Sequence, residues 1–343
     1  MRKKLLISTF FLIFIIAVGI FLSYQYIFSP ISETKKTILL PRKTTFQGLK
    51  DSLKSHSLIQ YDWAFDFFCK KKNFYKVYPG RYVIDSCMNI NSMVNMFRSG
   101  NQSPLSIILN NSSNLFDLAY KLSVNLEADS AEFVAAFTDP NFLKVQNLNF
   151  ASVRKLFIPN TYEVYWTITP REFLYRMQKE YNFFWSQERL SKANKIGLSA
   201  HEVSVLASIV QKETSKLDEQ SIVAGLYLNR LDIGMKLQSD PTIIYAIKEM
   251  HGNNFQVNRV LKNDLNIKSA YNTYLNKGLP PNPICIPEMS AILAVLNPKK
   301  HSHIYMCAKE DFSGYHNFTN NWAIHKQNAI KFQNALSSKG VLR

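Results

Sequence analysis

The chain has few of the residues that identify a metal-binding or disulfide-stabilised protein. Only four of its 343 residues are cysteine, and Cys69, Cys87, Cys285 and Cys307 are scattered without a C-x-x-C pair. This spacing argues against zinc ligation and thioredoxin-like redox chemistry. Disulfides are compatible with it, but the sequence leaves their connectivity open. We therefore expect no metal site and no cofactor.

Acidic residues are also scarce relative to basic ones. The chain has 25 Asp and Glu against 41 Lys and Arg, which gives a formal net charge of +16. Such an excess favours an anionic partner. No groove-reading motif accompanies the charge, so we do not expect nucleic acid to be that partner. Hydrophobic residues make up 46% of the chain, which argues against global disorder.

Charge is absent from a long stretch near the N-terminus. Basic residues occupy positions 2–4, and an uncharged, largely apolar stretch then runs over 5–28. About 20 such residues span a bilayer, whereas a cleaved signal peptide has an apolar region of about 7–15 and an A-x-A-like exit. We predict a cytoplasmic N-terminus (1–4), a single transmembrane helix (5–28) and a linker (29–36). The protein would then be a single-pass inner (cytoplasmic) membrane protein, with everything after the linker on the periplasmic, extracytoplasmic side.

The pattern after the linker predicts a strand, two helices and a second strand. Ile38–Leu40 reads as the first strand, two helical stretches follow, and Tyr78–Ile84 contains the second strand. This order resembles a LysM-type glycan-binding module. A second copy is suggested at an offset of 69, where Ile107–Leu109 corresponds to Ile38–Leu40. Chance similarity between amphipathic helices explains that match equally well, so residues 37–150 hold either one such unit or two.

One helix predicted in the second half ends on a carboxylate. Ser199 and Glu202 have the spacing of a capping box at its beginning. Glu213 lies on the same face as an apolar stripe made of Val203, Leu206, Ala207 and Val210. Burial raises the pKa of a carboxyl group, and a carboxylic acid protonated near neutrality can act as a general acid. From the helix alone, a Glu at a fraying helix end, paired with a nearby lysine, is the favoured interpretation.

Further sequence blocks surround this helix and include it. In chain order they are Phe157–Tyr162, Ala207–Thr214, Leu228–Met235, Leu237–Thr242, Tyr271–Tyr274 and Gly278–Pro281. Four later residues, His316, Phe318, Thr319 and His325, belong to the same pattern. In these blocks and their order, the chain resembles the endolytic murein transglycosylases, the YceG-like family.

The resemblance implies an α+β protein with three parts. These are the N-terminal transmembrane helix, a LysM-like βααβ region over 37–150, and a mixed helical and strand YceG-like catalytic domain over 151–343. It also implies a lyase that cleaves the MurNAc–GlcNAc β-1,4 bond inside nascent peptidoglycan strands, leaves a 1,6-anhydro-MurNAc end and helps to terminate strand elongation. Expected partners are the glycan strands, the membrane, and wall-synthesis glycosyltransferases and transpeptidases.

The family's functional residues fall on six positions of this chain. Its catalytic Glu corresponds to Glu213, and its other site residues, for which we expect substrate contacts, correspond to Gln238, Asp240, Tyr271, Asn272 and Tyr274. Asp240 is explained equally well as a helix cap. Gln238 and Asn272 are the better candidates for holding sugar hydroxyl or acetamido groups. Departures from the family pattern, such as Arg154-Lys155 in place of Glu-Gly, put only rim contacts in doubt.

Two alternatives remain open. Most glycosidases need two carboxylates, whereas a lytic transglycosylase manages with one because the C6 hydroxyl of the substrate attacks C1. A peptidoglycan hydrolase would instead pair Glu213 with Glu219 or Asp218. The other alternative is a non-catalytic wall-binding scaffold.

Overall fold

A computed structural model describes residues 2–109, 112, 114–150, 152–252, 255–257 and 259–338. Within the first helix, the described side chains are those of residues 9–19, 21, 24, 25, 27 and 28. The last residues of the predicted catalytic domain, 339–343, lie outside the described part. The chain divides into two compact units. The first comprises Met1–Ile107, Asn125–Ala128 and Glu163–Thr169, and the second comprises Ile108–Val124, Asp129–Tyr162 and Pro170–Arg343.

Helix α1 (Arg2–Phe28) contains the segment predicted to cross a membrane. Within the described residues, no helix combines the length and the apolar character that a membrane crossing requires. Such a crossing takes about 20 consecutive apolar residues, and Thr9, Tyr24 and Gln25 interrupt the apolar sequence of α1 near its two ends. The prediction of a transmembrane helix over 5–28 is therefore wrong, and the single-pass inner-membrane localisation that depended on it is corrected with it. The side chains of the predicted cytoplasmic segment, 1–4, lie outside the described residues.

The first unit contains a two-stranded antiparallel sheet covered by helices. Its elements are β1 (Lys36–Leu40), α2 (Phe46–Ser55), α3 (Asp62–Lys71), β2 (Gly80–Ile84) and α4 (Ile90–Ser99). Ile38 pairs with Tyr82 in the sheet, and both are fully buried. Thr45 caps α2 by accepting a hydrogen bond from the Gly48 N–H. The order strand, helix, helix, strand is the one predicted, and the LysM-like character of the region stays a prediction.

The next segment has the same order of elements with two short helices added. Strand β3 (Leu105–Leu109) is followed by α5 (Leu115–Ser123), α6 (Ser130–Phe137), α7 (Pro140–Val145), a 3-10 turn (Val153–Leu156) and β4 (Asn160–Val164). Strands β3 and β4 form a second two-stranded sheet. Asp129 and Glu132 form a capping box at the beginning of α6. A common origin with the first segment stays a prediction.

The rest of the second unit is mainly helical. Its elements are α8 (Pro170–Phe184), α9 (Gln187–Lys195), α10 (Ala200–Glu213), α11 (Leu217–Asp232), α12 (Asp240–His251), a 3-10 turn (Asp264–Asn266), α13 (Met289–Leu296), β5 (Tyr305–Ala308), β6 (His316–Thr319) and α14 (Trp322–Ser338). Strands β5 and β6 form an antiparallel hairpin, in which Met306 pairs with Phe318. Both of these side chains pack against the main core, the buried cluster that includes Leu206 and Val210 of α10, Leu226 of α11 and Ile292 of α13. All four cysteines are described and are free thiols.

Helix α10 is the centre of this unit. The predicted capping box is present, with Ser199 accepting from the Glu202 N–H and Glu202 accepting from the Ser199 N–H at 2.8 Å. Every residue from 203 to 210 is buried, so the helix is enclosed on all sides and not only along the predicted stripe. The enclosure follows from its contacts with α9, α11, α12 and α13. Such a helix is held rigidly up to its last turn.

A glycine in α11 allows a loop to pass close to the helix. A Cβ at Gly225 would collide with the Lys299 carbonyl oxygen and would lie 2.9 Å from His301 Nε2. The same loop is fixed along α11 by the Lys299 N–H, which donates to the Ser221 carbonyl oxygen at 3.0 Å. Any larger residue at 225 must push this loop away.

We expect Gly225→Ala to lower the free energy of unfolding by about 1–3 kcal/mol, because the overpacking outweighs alanine's better helix propensity. Gly48→Ala in α2 is the matched control. Its Cβ would meet Thr44 and Thr45 at an ordinary 3.5 Å, so a gain of roughly 0.5 kcal/mol is expected. Urea unfolding of both variants measures the difference, and an equal or more stable Gly225→Ala protein would contradict the close approach.

Candidate active site

The carboxyl group of Glu213 lies at the C-terminal end of α10 and is held by two hydroxyl groups. Tyr227 in α11 donates to Glu213 Oε1 at 2.6 Å, and the Ser239 hydroxyl donates to the same oxygen. Tyr227 and Ser239 are each 1% exposed, whereas Glu213 as a residue is partly exposed. Oε1 of Glu213 is therefore fixed by two hydrogen bonds, although the residue as a whole remains partly accessible to solvent.

The surroundings of Glu213 favour its protonated form. Burial is the largest influence and raises the pKa of the carboxyl, and the nearby Asp240 acts in the same direction. The hydrogen bonds from Ser239 and Tyr227, and the proximity of His316, act in the opposite direction and are outweighed. The negative end of the helix dipole also disfavours a carboxylate at this position. A raised pKa is what the buried stripe of α10 predicts.

The segment that supplies Ser239 alternates between the core and solvent. Leu237 is fully buried and Ser239 nearly so, while Gln238 and Asp240 are exposed. Gln238 adopts a left-handed backbone conformation with a φ of 50°, which is uncommon for a residue with a side chain. This turn points the Ser239 hydroxyl at Glu213 and leaves the side chain of Gln238 on the surface.

Thr273 links this segment to the Tyr271–Tyr274 block. Its side-chain oxygen accepts from the Ser239 N–H at 3.0 Å, and its carbonyl oxygen accepts from the Gln238 N–H at 3.1 Å. The Thr242 hydroxyl lies 2.9 Å from the Thr273 hydroxyl. The two predicted blocks are thus joined by hydrogen bonds into one support for Ser239.

Asn272, the residue before Thr273, is completely buried. Its amide nitrogen donates to the carbonyl oxygens of Leu265 and Ile267, at 3.0 and 2.7 Å. Its amide oxygen accepts from the N–H groups of Tyr274 and Leu275, at 2.9 and 3.2 Å. The amide is fully engaged with the backbone, so the structure gives it a role in holding the loop, and contact with a sugar stays a prediction.

Asp240 and Tyr274 form a pair on the exposed side of the site. The Tyr274 hydroxyl donates to Asp240 Oδ1 at 2.5 Å. Burial, together with the neighbouring Asp240 carboxylate, raises the pKa of Tyr274. Helix α12 begins at Asp240 and has Ser239 at its cap position, without a side-chain capping bond. Asp240 therefore contacts Tyr274 and is not itself the N-cap of α12.

Tyr271 lies further inside. It is 7% exposed, belongs to the main core and packs against Tyr245 with the ring centroids 4.6 Å apart. Of the six predicted residues, Glu213, Gln238, Asp240 and Tyr274 are exposed or partly exposed. Tyr271 and Asn272 lie beneath them.

A second carboxylate, Glu219, is engaged elsewhere. Its Oε2 accepts from the Thr214 hydroxyl at 3.2 Å and lies 3.0 Å from His316 Nδ1. The His316 N–H donates to Glu219 Oε1 at 2.8 Å. Asp218 is exposed and accepts from the Tyr315 hydroxyl at 3.4 Å. Glu219 therefore joins the residue after Glu213 to strand β6.

Three residues that shape this site were not predicted from the sequence. Tyr227 is the only aromatic residue of α11, and Ser239 stands inside the Leu237–Thr242 block, but neither position has a local signal for its role. Arg230 was the third. Its Nε donates to the Ile304 carbonyl oxygen at 2.7 Å and its guanidinium also donates to the Leu237 carbonyl oxygen, so it joins the turn to the hairpin.

Comparison with known proteins gives consistent matches along most of the chain. The model of the YceG-like family matches residues 38–331. A protein named endolytic murein transglycosylase from Bacillus subtilis (strain 168) is 25% identical over 311 residues, which cover 85% of each chain. A protein of the same name from Streptococcus pneumoniae (strain R6) is 25% identical over 370 residues, and the alignment covers 97% of this chain and 66% of the relative.

The fold also has a counterpart among solved structures. A YceG-like protein from Listeria monocytogenes, solved at 2.6 Å, superposes with a TM-score of 0.55 and 24% sequence identity. The superposition covers 86% of this chain and 99% of the other. At this identity the likeness concerns the fold.

The raised pKa of Glu213 predicts a gain in stability when the residue is made neutral. A carboxyl whose pKa is higher in the folded protein than in the unfolded chain stabilises the fold below its ordinary pKa, and that contribution is lost as the pH rises through the folded value. Glu213→Gln should therefore unfold at a higher temperature than the unaltered protein at pH 8, by a margin that shrinks toward pH 4.5. Thermal unfolding across this range measures the margin.

Glu163→Gln, at an exposed position, is the control and should show no such pH-dependent margin. A constant difference between Glu213→Gln and the unaltered protein at every pH would contradict the raised pKa.

Proposed function

We propose, on the premise that the chain belongs to the YceG-like family, that it is an endolytic murein transglycosylase in which Glu213 is the general acid and base. The observation that carries the role of Glu213 is its carboxyl group, which is fixed on one oxygen by Tyr227 and Ser239. Its raised pKa fits a group that must hold a proton before reaction. The substrate is peptidoglycan.

In the first step, Glu213 protonates the oxygen that links MurNAc to GlcNAc. The bond between this oxygen and C1 of MurNAc breaks, the GlcNAc hydroxyl leaves with the proton, and Glu213 becomes a carboxylate. Positive charge develops on the MurNAc ring as this bond breaks. The newly formed carboxylate then stabilises that charge, because the two groups are close in a poorly solvated site.

In the second step, the C6 hydroxyl of the same MurNAc attacks C1. Its proton passes to Glu213, which returns to its starting state, and a 1,6-anhydro ring closes without consuming water. The attacking group is already part of the substrate, and such intramolecular reactions reach high effective concentrations. A single carboxylate therefore suffices for both steps.

The environment of Glu219, one of the two carboxylates considered as a hydrolase partner of Glu213, supports this mechanism over a two-carboxylate hydrolysis. A hydrolase would need a second carboxylate free to activate water or to attack the sugar. Glu219 is 4% exposed and is bonded to Thr214 and His316. Asp218 is exposed and accepts a hydrogen bond from Tyr315.

Substrate contacts are proposed for the residues around Glu213. Gln238, Asp240 and Tyr274 have polar groups on the exposed side and suit hydrogen bonds to sugar hydroxyl or acetamido groups. Tyr271 and Asn272 would act beneath them, by fixing the loop that carries Tyr274. Their contacts with the backbone and the core support this division.

The remaining parts of the proposal concern the setting of the reaction. The region over 37–150, with its βααβ order, is proposed to bind the glycan strand in the manner of a LysM module, ahead of a catalytic domain over 151–343. Cleavage inside nascent strands would end their elongation. Glycosyltransferases and transpeptidases of wall synthesis are accordingly proposed as partners.

Glu213→Gln should reduce glycan cleavage by at least about 100-fold, because general acid and base catalysis contributes roughly 10²–10⁴-fold. Mass spectrometry of muropeptides from purified peptidoglycan measures both rate and product. The unaltered protein should give 1,6-anhydro ends, each lighter by one water than a reducing end. Glu163→Gln should cleave at the unaltered rate.

Three results would contradict the proposal. Reducing ends in place of anhydro ends would show a hydrolase. Unchanged cleavage by Glu213→Gln would remove Glu213 from the reaction, and absence of cleavage by any form of the protein would favour a wall-binding scaffold.

A further inference from the structure

We infer that Tyr227 and Ser239 are positioning residues that hold Glu213 Oε1 as a hydrogen-bond acceptor and so assign the transferred proton to Glu213 Oε2. The inference deepens the proposed function and rests on it. It concerns which atom performs the proton transfers and which residues decide this.

The geometry places two donors on one oxygen. The Tyr227 hydroxyl, from the middle of α11, donates to Oε1 at 2.6 Å, and the Ser239 hydroxyl, from the turn before α12, donates to the same atom. A protonated carboxyl group has one oxygen that carries the proton and one that only accepts. Two O–H donors on Oε1 favour the form whose proton is on Oε2.

Both donors are themselves fixed. Tyr227 belongs to the main core and has the Arg230 guanidinium 5.9 Å from its ring centre. Ser239 is held by its N–H bond to Thr273. Both side chains are 1% exposed, and rotation of the Glu213 carboxyl plane would break their hydrogen bonds to Oε1. Oε2 then keeps one direction throughout the catalytic cycle.

The same two bonds limit how far burial raises the pKa of Glu213. Both favour the carboxylate, because a hydrogen bond to a charged acceptor is stronger than one to a neutral acceptor. The other charged or titratable groups acting on Glu213 are Asp240 at the beginning of α12, which raises its pKa, and His316 in β6, which lowers it. Glu219 is paired with His316, and Tyr274 is bonded to Asp240. Removing either hydroxyl leaves these groups in place.

Tyr227 and Ser239 thus both orient the Glu213 carboxyl and limit its pKa, and these two effects together predict a specific pH dependence of the rate. Oε2 must be protonated in the first step and ionised in the second, so the kcat of the lyase should fall as the pH rises through the pKa of Glu213 in the substrate complex. Without the Tyr227 or the Ser239 hydroxyl, the carboxylate is less stabilised and that pKa rises. The alkaline limb of the profile should then move to higher pH.

The test is the pH dependence of kcat and KM for Tyr227→Phe and Ser239→Ala, measured on purified glycan strands with the full chain. We expect the alkaline limb to move up by about one pH unit in each variant, because each lost hydrogen bond is stronger to the carboxylate than to the protonated carboxyl. At neutral pH we expect kcat to fall about 10-fold through misorientation of the carboxyl. KM should change little, because neither hydroxyl is proposed to touch the substrate.

Matched controls separate positioning from general damage to the fold. Tyr181→Phe removes a phenol that packs against the same core, and Ser204→Ala removes a buried hydroxyl that donates to the Ala200 carbonyl oxygen of its own helix. Both should keep the pH profile of the unaltered protein. If one of the two test variants does not fold, as judged by circular dichroism, the other carries the test. If both fail to fold, Tyr227 alone is replaced by 3-fluorotyrosine. Its phenol is more acidic and donates a stronger hydrogen bond to the carboxylate, so the alkaline limb of the kcat profile should move to lower pH.

The outcomes distinguish this inference from the proposed function. If the limb stays at its original pH in the folded variants while Glu213→Gln is inactive and anhydro ends are formed, the positioning role is wrong and the function stands. A moved limb supports the positioning role. If Glu213→Gln still cleaves strands, the proposed function fails, and the positioning role fails with it.

Discussion

The burial of one carboxyl group at the end of an enclosed helix is the constraint around which the second unit is arranged. Helix α10 is buried over 203–210, so its last turn has a fixed place. Glu213 is held there under conditions that disfavour its charged form. A buried carboxyl group needs hydrogen-bond partners, because burying it without them costs free energy. The hydroxyls of Tyr227 and Ser239 are those partners. The surrounding segments then have to hold those hydroxyls.

This requirement explains why two polar blocks lie against each other. The turn containing Ser239 includes a left-handed residue, Gln238, and such backbone conformations persist only when their surroundings hold them. Thr273 supplies two hydrogen bonds to the turn, Arg230 holds the Leu237 carbonyl oxygen, and Asn272 fixes the loop behind Thr273. Polar residues with no direct contact to Glu213 thus determine where its donors stand.

The sequence predicts those parts of the site that depend on local patterns. The 3.6-residue period of α10 places Glu213 on the buried side, and the capping box fixes where the helix begins. Tyr227 and Ser239 are different, because their role arises only when α11 and the turn before α12 meet α10 in space. The amino-acid sequence by itself contains no local pattern that predicts these tertiary contacts. The six predicted residues include two, Tyr271 and Asn272, that lie within or beneath the core, and this too depends on tertiary packing.

The fold prediction was right where periodicity was strong and wrong for the N-terminal anchor. The βααβ order follows from alternation and helical spacing, and the capping box of α10 follows from the spacing of Ser199 and Glu202. The anchor was predicted from the length of an uncharged, largely apolar stretch, and a largely apolar stretch need not be continuously apolar. Thr9, Tyr24 and Gln25 carry no charge, yet each interrupts the apolar sequence of α1.

Glu219 illustrates why a neighbouring carboxylate need not be a catalytic partner. It lies six residues after Glu213 and is as deeply buried as the core around it. Its oxygens, however, bond to Thr214, the residue that follows Glu213, and to His316 in β6. An ion pair or hydrogen-bond network that is satisfied in this way resists change, because breaking it would leave a buried charge unpaired. Glu219 therefore fixes the chain immediately after Glu213 and does not offer a second free carboxyl beside it.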